Sequence, residues 1–266
     1  MRFSEHLKKA SLVGAFFVSA LFSLQAQALC PAPGALSGVE VASVTDGDTL
    51  RLRDGRRVRL IGVNAPELGG KGRSAEPFAP ASRRRLQALL DASGGRISIL
   101  PGQQARDHYG RVLAHAFDSK GANLEAALLA EGLGYFVAIA PNTALADCHR
   151  RVELQAREAG QGLWRRSPAI AAEDLRRAGF ALVRARVERL EKTRSGLWLE
   201  LEGPLVLQIP QQDAADFDQK LLAGLRGRTI EVRGWVIARK GRADLSRQAR
   251  WLMKVTHPSM LNPLSE

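Results

Sequence analysis

Asp46, Asp48, Arg59, Asn64 and Glu67 crowd into one short stretch, VTDGDTLRLRDGRRVRLIGVNAPE, at residues 44–67. Carboxylate and amide oxygens suit a hard divalent cation, and a guanidinium suits a phosphate. A cation beside a phosphate clamp is the arrangement that hydrolysis of a phosphodiester requires. Further along, Asp107-His108-Tyr109-Gly110-Arg111 places a second arginine directly after a Tyr-Gly turn, which could aim it inward.

These residues need a scaffold that brings them together. Residues 39–63 read as a meander: apolar residues alternate around Asp46-Gly47 and Asp54-Gly55, and Asp-Gly is a strong hairpin signal. With a three-residue second loop, Leu50 should face Leu60 and Leu52 should face Val58, leaving Arg51 and Arg59 on the opposite face. Strict alternation puts Asp48 on the leucine side, so a bulge or twist must carry it towards Arg59. A Gly-rich loop with Lys71 and Arg73 follows. Helix is expected over residues 80–90, strand over 96–100 and 112–117, and helix near residues 124–128 and over 143–159. Five strands with intervening helices indicate a small closed barrel.

After Ser167-Pro168 the pattern restarts. Strands are expected over 181–190, 197–201 and 205–209. A helix bearing Phe217, Leu221, Leu222 and Leu225 follows, then strands over 229–237 and ending at Trp251-Leu252. Three strands, a helix and two strands is the order of an OB barrel. The expected class is therefore mainly β with α (α+β): an OB-fold barrel with packed helices, then a second, smaller OB-like barrel. The boundaries drawn are residues 1–28 for a signal peptide, 29–168 for the first domain and 169–266 for the second.

The signal peptide is expected from basic Arg2, Lys8 and Lys9, an apolar run over residues 12–24 and Ala26-Gln27-Ala28 at the cleavage position. Periplasmic or secreted localisation follows, with no lasting membrane insertion. In such a compartment Cys30 and Cys148, the only two cysteines, should form a disulfide. The 266 residues carry 39 Lys+Arg against 27 Asp+Glu, a formal charge of +12 spread through globular sequence. A basic folded surface attracts polyanions, nucleic acid first among them.

The three blocks Val44-Thr45-Asp46-Gly47-Asp48-Thr49, Arg59-Leu60-Ile61-Gly62-Val63-Asn64-Ala65-Pro66-Glu67 and Asp107-His108-Tyr109-Gly110-Arg111, supported by Gly132-Leu133 and Gly162-Leu163-Trp164, give a resemblance. In collinear order over residues 39–164, the chain resembles the thermonuclease, or staphylococcal nuclease-like, family of calcium-dependent phosphodiesterases. The resemblance implies calcium bound by the Asp48 carboxylate, Asn64 and the Ala65 carbonyl. It implies Glu67 as general base, Arg59 and Arg111 as phosphate-binding catalytic arginines, and Tyr109, Lys71 and Arg73 in substrate binding. Well-known members have aspartate where Asn64 stands; an amide oxygen coordinates calcium without adding charge.

The expected activity is therefore an exported calcium-dependent nuclease hydrolysing DNA and/or RNA as a monomer. Two alternatives remain open at this point: a catalytically weak nucleic-acid-binding protein on the same fold, and an envelope protein binding anionic polymers. Arg83, Arg84 and Arg85 read as a solvated helix face, and His108 as a loop-surface residue. Trp198, Trp235 and Trp251, beside Arg233, Arg239 and Arg242, are expected in the barrel core rather than stacking on bases.

Overall fold

The computed structural model describes residues 29–70, 72–239 and 249–264. The expected signal peptide, Lys71 and Arg242 lie outside the described residues. Strands β1 (Ser37–Asp46), β2 (Thr49–Leu52) and β3 (Arg57–Leu60) form the meander, and β4 (Val63–Asn64) follows at once. Helix α1 (Ala79–Ala92) leads to β5 (Arg96–Arg106) and β6 (Val112–Phe117); α2 (Leu124–Ala130), β7 (Tyr135–Phe136) and α3 (Ala146–Glu158) complete the unit. The ring runs β1-β2-β3-β6-β5 and closes on itself, with β3 and β6 parallel. Strand β5 outruns its expected end because it continues past Pro101 through an irregular register against β6.

One register differs from expectation. Leu50 lies opposite Val58 and Thr49 opposite Arg59, two residues from the pairing read off the sequence. The chain reverses earlier, over Asp54-Gly55: the Leu52 N–H donates to the Arg56 carbonyl, and Asp54 accepts from the Arg56 N–H. Because side chains alternate with period two, a shift of two leaves every residue on its face. Leu50, Leu52, Val58 and Leu60 are still buried together.

A second barrel follows. Strand β8 (Ile170–Ala171) precedes β9 (Gly179–Thr193), β10 (Gly196–Leu201) and β11 (Leu205–Pro210); helix α4 (Gln219–Ala223) leads to β12 (Thr229–Ala238), β13 (Trp251–Lys254) and β14 (Leu261–Pro263). The order β9-β10-β11-β13-β12 closes where β12 pairs back onto β9, and β11 and β13 are parallel. Both barrels thus have the OB strand order. The expected helix around Phe217 shrinks to α4: Asp218 caps it by accepting from the Lys220 and Leu221 N–H groups, Phe217 stays extended, and the helix stops at Gly224. Helix α3 likewise starts later than expected, at Ala146, after a turn from Thr143.

The barrels share one apolar core, which runs from Leu50 and Phe117 through Phe136 to Val232 and Leu199. Charges cross the joint as well. Arg233 on β12 donates to both Glu153 oxygens (2.8 and 2.6 Å) and to the Phe136 carbonyl, while the Phe136 N–H donates to Glu153. Glu231 accepts a two-pronged contact from Arg157 (2.6 and 2.8 Å) and a third from Arg184. Burial works to raise the Glu231 carboxyl, but Arg157 and Arg184 hold it below the ordinary range. Arg233, singled out in the sequence only for its nearness to the tryptophans, is buried, with Glu153 facing it across the joint.

Cys30 and Cys148 form the expected disulfide, tying the start of the described chain to α3. Among the described residues no helix is long and apolar enough to cross a membrane.

Candidate active site

The β1–β2 turn carries the acidic pair. Register irregularities between Val41 and Ser43 and between Val44 and Asp46 break the simple alternation just before the turn. A Cβ at Gly47 would collide with Ser82 Oγ of α1 and stand 2.6 Å from the Ala65 Cβ, so glycine lets the turn press against both. Asp48 is thereby brought to Arg59, as the alternation argument required. Its Oδ2 accepts from the Ala65 N–H at 2.8 Å and pairs with Arg59 Nη2 at 3.0 Å; its Oδ1 accepts from the Thr49 hydroxyl. Asp46 lies alongside, accepting from the Asp48 N–H. Burial and the neighbouring Asp48 carboxylate push the Asp46 carboxyl up to about 6. Two carboxylates crowd one spot.

Arg59 interrupts an apolar strand, and its partners show why. Nη1 donates to the Leu60 and Val63 carbonyls at 2.6 and 2.7 Å, and Nη2 to Asn64 Oδ1 at 3.1 Å as well as to Asp48. Asn64 is fixed by the short β4–β7 ribbon, where it lies opposite Tyr135. Arg59 is therefore the pin that holds Asp48, Asn64 and the β3–β4 backbone in one cluster.

Arg111 is held differently. Asp107 accepts its Nε–H at 2.7 Å and, through the other oxygen, the backbone N–H groups of Tyr109 and Arg111. Burial works to raise the Asp107 carboxyl, but the Arg111 guanidinium and these N–H groups outweigh it and hold it below the usual range. Among the described residues no hydrogen-bond partner takes the two Nη groups of Arg111. Arg59 and Arg111 line one cavity of about 390 Å³, together with Tyr109, Ile139 and Trp235. The Arg111 guanidinium lies 5.4 Å from the Tyr109 ring centre. His108 also borders this cavity, exposed on its loop.

The other expected residues lie around this core rather than in it. Glu67 is exposed and outside the cavity wall; its N–H donates to Glu76, and its carbonyl accepts from the Glu76 N–H. Arg73 is exposed on a tight turn closed against Gly70. Arg83 and Arg84 are exposed on α1, as expected. The expectation of three core tryptophans holds for Trp251 alone: Trp198 bonds Thr193 and Ser195 near the surface, and Trp235 is 38% exposed.

A set the sequence reading missed lies in the interior. His115, Glu125 and His149 bring ligand-type atoms within 4.8 Å of one another, all buried. Glu125 accepts from the Ala116 N–H and the Asn123 amide, and His149 Nε2 bonds Asn123 Oδ1. The only signal in the sequence was a histidine inside the apolar strand β6.

Comparison with known proteins agrees with this geometry. Residues 57–166 match the family described as staphylococcal nuclease homologue. Endonuclease YncB of Bacillus subtilis (strain 168) is 28% identical over 136 residues, covering 50% of this chain and 64% of that protein. The thermonuclease of Staphylococcus intermedius is 34% identical over 80 residues, 29% of this chain and 46% of that protein. The probable endonuclease LCL3 of Clavispora lusitaniae is 33% identical over 114 residues, 40% of this chain and 47% of that protein. The chain thus spans less than two thirds of each of these relatives. The stretch similar to the staphylococcal nuclease homologue family, residues 57–166, thus takes in β3 to α3 of the first unit and carries both Arg59 and Arg111.

Proposed function

We propose that this protein is an exported, calcium-dependent nuclease that hydrolyses phosphodiester bonds of DNA and/or RNA. The observation that carries this reading is the convergence of Arg59 and Arg111 on one cavity, with an acidic pair directly behind Arg59. A binding surface for polyanions needs arginines; it has no use for two crowded carboxylates beside them. The disulfide and the N-terminal signal pattern support export.

The donor set fits a hard cation. Asp48, Asn64 and the Ala65 carbonyl would hold calcium, with Asp46 added by its place beside Asp48. Bound there, such an ion supplies charge neutralisation and polarisation of a phosphate oxygen. Arg111 is the main protein donor to the phosphate: Asp107 fixes its direction and leaves the Nη groups for phosphate oxygens as charge develops. Arg59 holds the acidic cluster, and a phosphate draws on its Nη donors only by competing with Asp48 and Asn64. Glu67 is the base that takes the proton of the attacking water, from a loop braced by Glu76.

The direct test is digestion of single- and double-stranded DNA and of RNA by the purified protein. Cleavage in calcium that stops with chelator is expected. Intact substrates in calcium, magnesium and manganese would refute the reading.

A further inference from the structure

The cavity has two chemically distinct walls. One presents Arg59, Asp107 and Arg111; the other presents Ile139, from the segment after β7, and Trp235, from β12 of the second barrel. Tyr109 stands at the rim. Tyr109, Ile139 and Trp235 are three of the eight exposed large hydrophobic side chains among the described residues, and all three border this cavity. Such a concentration of exposed apolar surface marks a binding site. The indole is also held in place. Trp235 lies opposite Phe180 in the β9–β12 pairing, their rings meet at 5.2 Å in an edge-on contact, and Phe180 packs in turn on Tyr135. That is a braced platform rather than a loose side chain. An aromatic face beside a phosphate-binding arginine matches the repeat of a nucleic acid strand, in which each phosphate adjoins a base.

We propose that Trp235, carried by the second barrel, is the base platform of the first barrel's site: an unpaired nucleobase next to the phosphate at Arg111 stacks on its indole, assisted by Ile139. The preferred substrate is accordingly single-stranded, because bases inside a duplex keep their faces on one another. The proposal rests on the nuclease reading for its substrate, but its geometry involves a domain that lies beyond the family match at residues 57–166.

The test compares the wild-type protein with Trp235→Leu and Trp235→Phe. Affinity for a fluorescein-labelled thymidine oligomer, and for the same chain with abasic sugars throughout, is read by anisotropy in calcium on ice and in chelator. Turnover of the oligomer is measured in parallel. Loss of one stack should raise KM and Kd for the base-bearing chain about tenfold in Trp235→Leu, with Trp235→Phe recovering most of it. Because the platform binds ground state and transition state alike, kcat should stay within about twofold. The abasic chain should bind wild type and Trp235→Leu equally. Equal affinity of wild type and Trp235→Leu for the oligomer overturns the proposal, as does an equal loss on the abasic chain or a wild type that does not discriminate between the two chains. Base-dependent binding that requires Trp235 but brings no cleavage under any condition would sustain the platform and overturn the nuclease reading instead.

Discussion

The two barrels have the same strand order, with a parallel pair at the same place in it, yet they use their charges in opposite ways. In the first, the β1–β2 turn carries Asp46 and Asp48, and the β5–β6 loop carries Arg111 with its Nη groups facing a cavity. In the second, the corresponding β9–β10 turn closes on neutral groups: the Thr193 and Ser195 hydroxyls bond each other and accept from the Trp198 indole N–H. Two of its buried charges, Glu231 and Arg233, face the joint and are matched by Arg157, Arg184 and Glu153. A chemically active site thus depends on what the turns and loops carry, and strand topology alone does not supply it.

The comparison predicts opposite phenotypes for arginines in the two places. Arg233→Met should cost about 3–5 kcal/mol of stability, because it leaves the Glu153 carboxylate buried without its partner. Burial already pushes that carboxyl up against the pull of Arg233. Adding Glu153→Leu to Arg233→Met should restore much of the loss, since an apolar pair needs no counter-charge. Thermal melts of the single and double variants measure this, and a single variant as stable as wild type would mean that the joint contributes little. Arg111→Ala should behave the other way: cleavage slowed by about 3–4 kcal/mol in barrier, with the melting curve unmoved. Glu67→Gln is expected to match it in rate. Full activity in either variant would remove that residue from the mechanism.

Acid should weaken the first barrel through His149. Burial, then the neighbouring His115, hold its imidazole down to about 3, well under its usual value. The unfolded chain therefore binds a proton below about pH 6.5 that the fold excludes, so this stability is complete above that pH and declines as pH falls towards 3. Between pH 7 and 5 the loss should be about 2 kcal/mol. Urea titrations at both values measure it, and His149→Gln should flatten the difference; an unchanged slope in that variant would place the acid sensitivity elsewhere. The smallest effect is expected from Asn64→Asp, which should lower the calcium concentration for half-maximal cleavage by roughly tenfold or less, since ligand charge tunes affinity. An unmoved titration would take residue 64 out of the ligand set.

Much of the first barrel's site was legible because its chemistry is local in sequence. Asp48, Arg59 and Asn64 fall within one meander, and Asp107 and Arg111 within one loop, so turn signals sufficed to bring each group together. The alternation of Leu50, Leu52, Val58 and Leu60 gave the buried face, and it survived a register error of two. The joint was illegible. Glu153, Arg157, Arg184, Glu231 and Arg233 are scattered over both units, and each by itself reads as a surface charge on a helix or strand. Trp235 was misread for a related reason: a tryptophan in a β-strand is assigned to a core unless one knows that another domain's cavity ends there.

The bond between Cys30 and Cys148 spans 118 positions and so threads the entire first barrel, from β1 to the start of α3, onto a covalent ring. When the protein unfolds with this bond intact, the first barrel becomes a closed loop and the second a free tail. A loop of about 100 residues removes chain entropy equivalent to about 4–5 kcal/mol from the unfolded ensemble in the loop-closure account. That advantage belongs to the barrel with the crowded carboxylates, where burying like charges opposes folding. The second barrel, outside this loop, folds as an ordinary open chain. Reduction should therefore loosen the acidic barrel first, and the composition of the surroundings, oxidising or reducing, becomes a determinant of whether the Arg59 cluster exists at all.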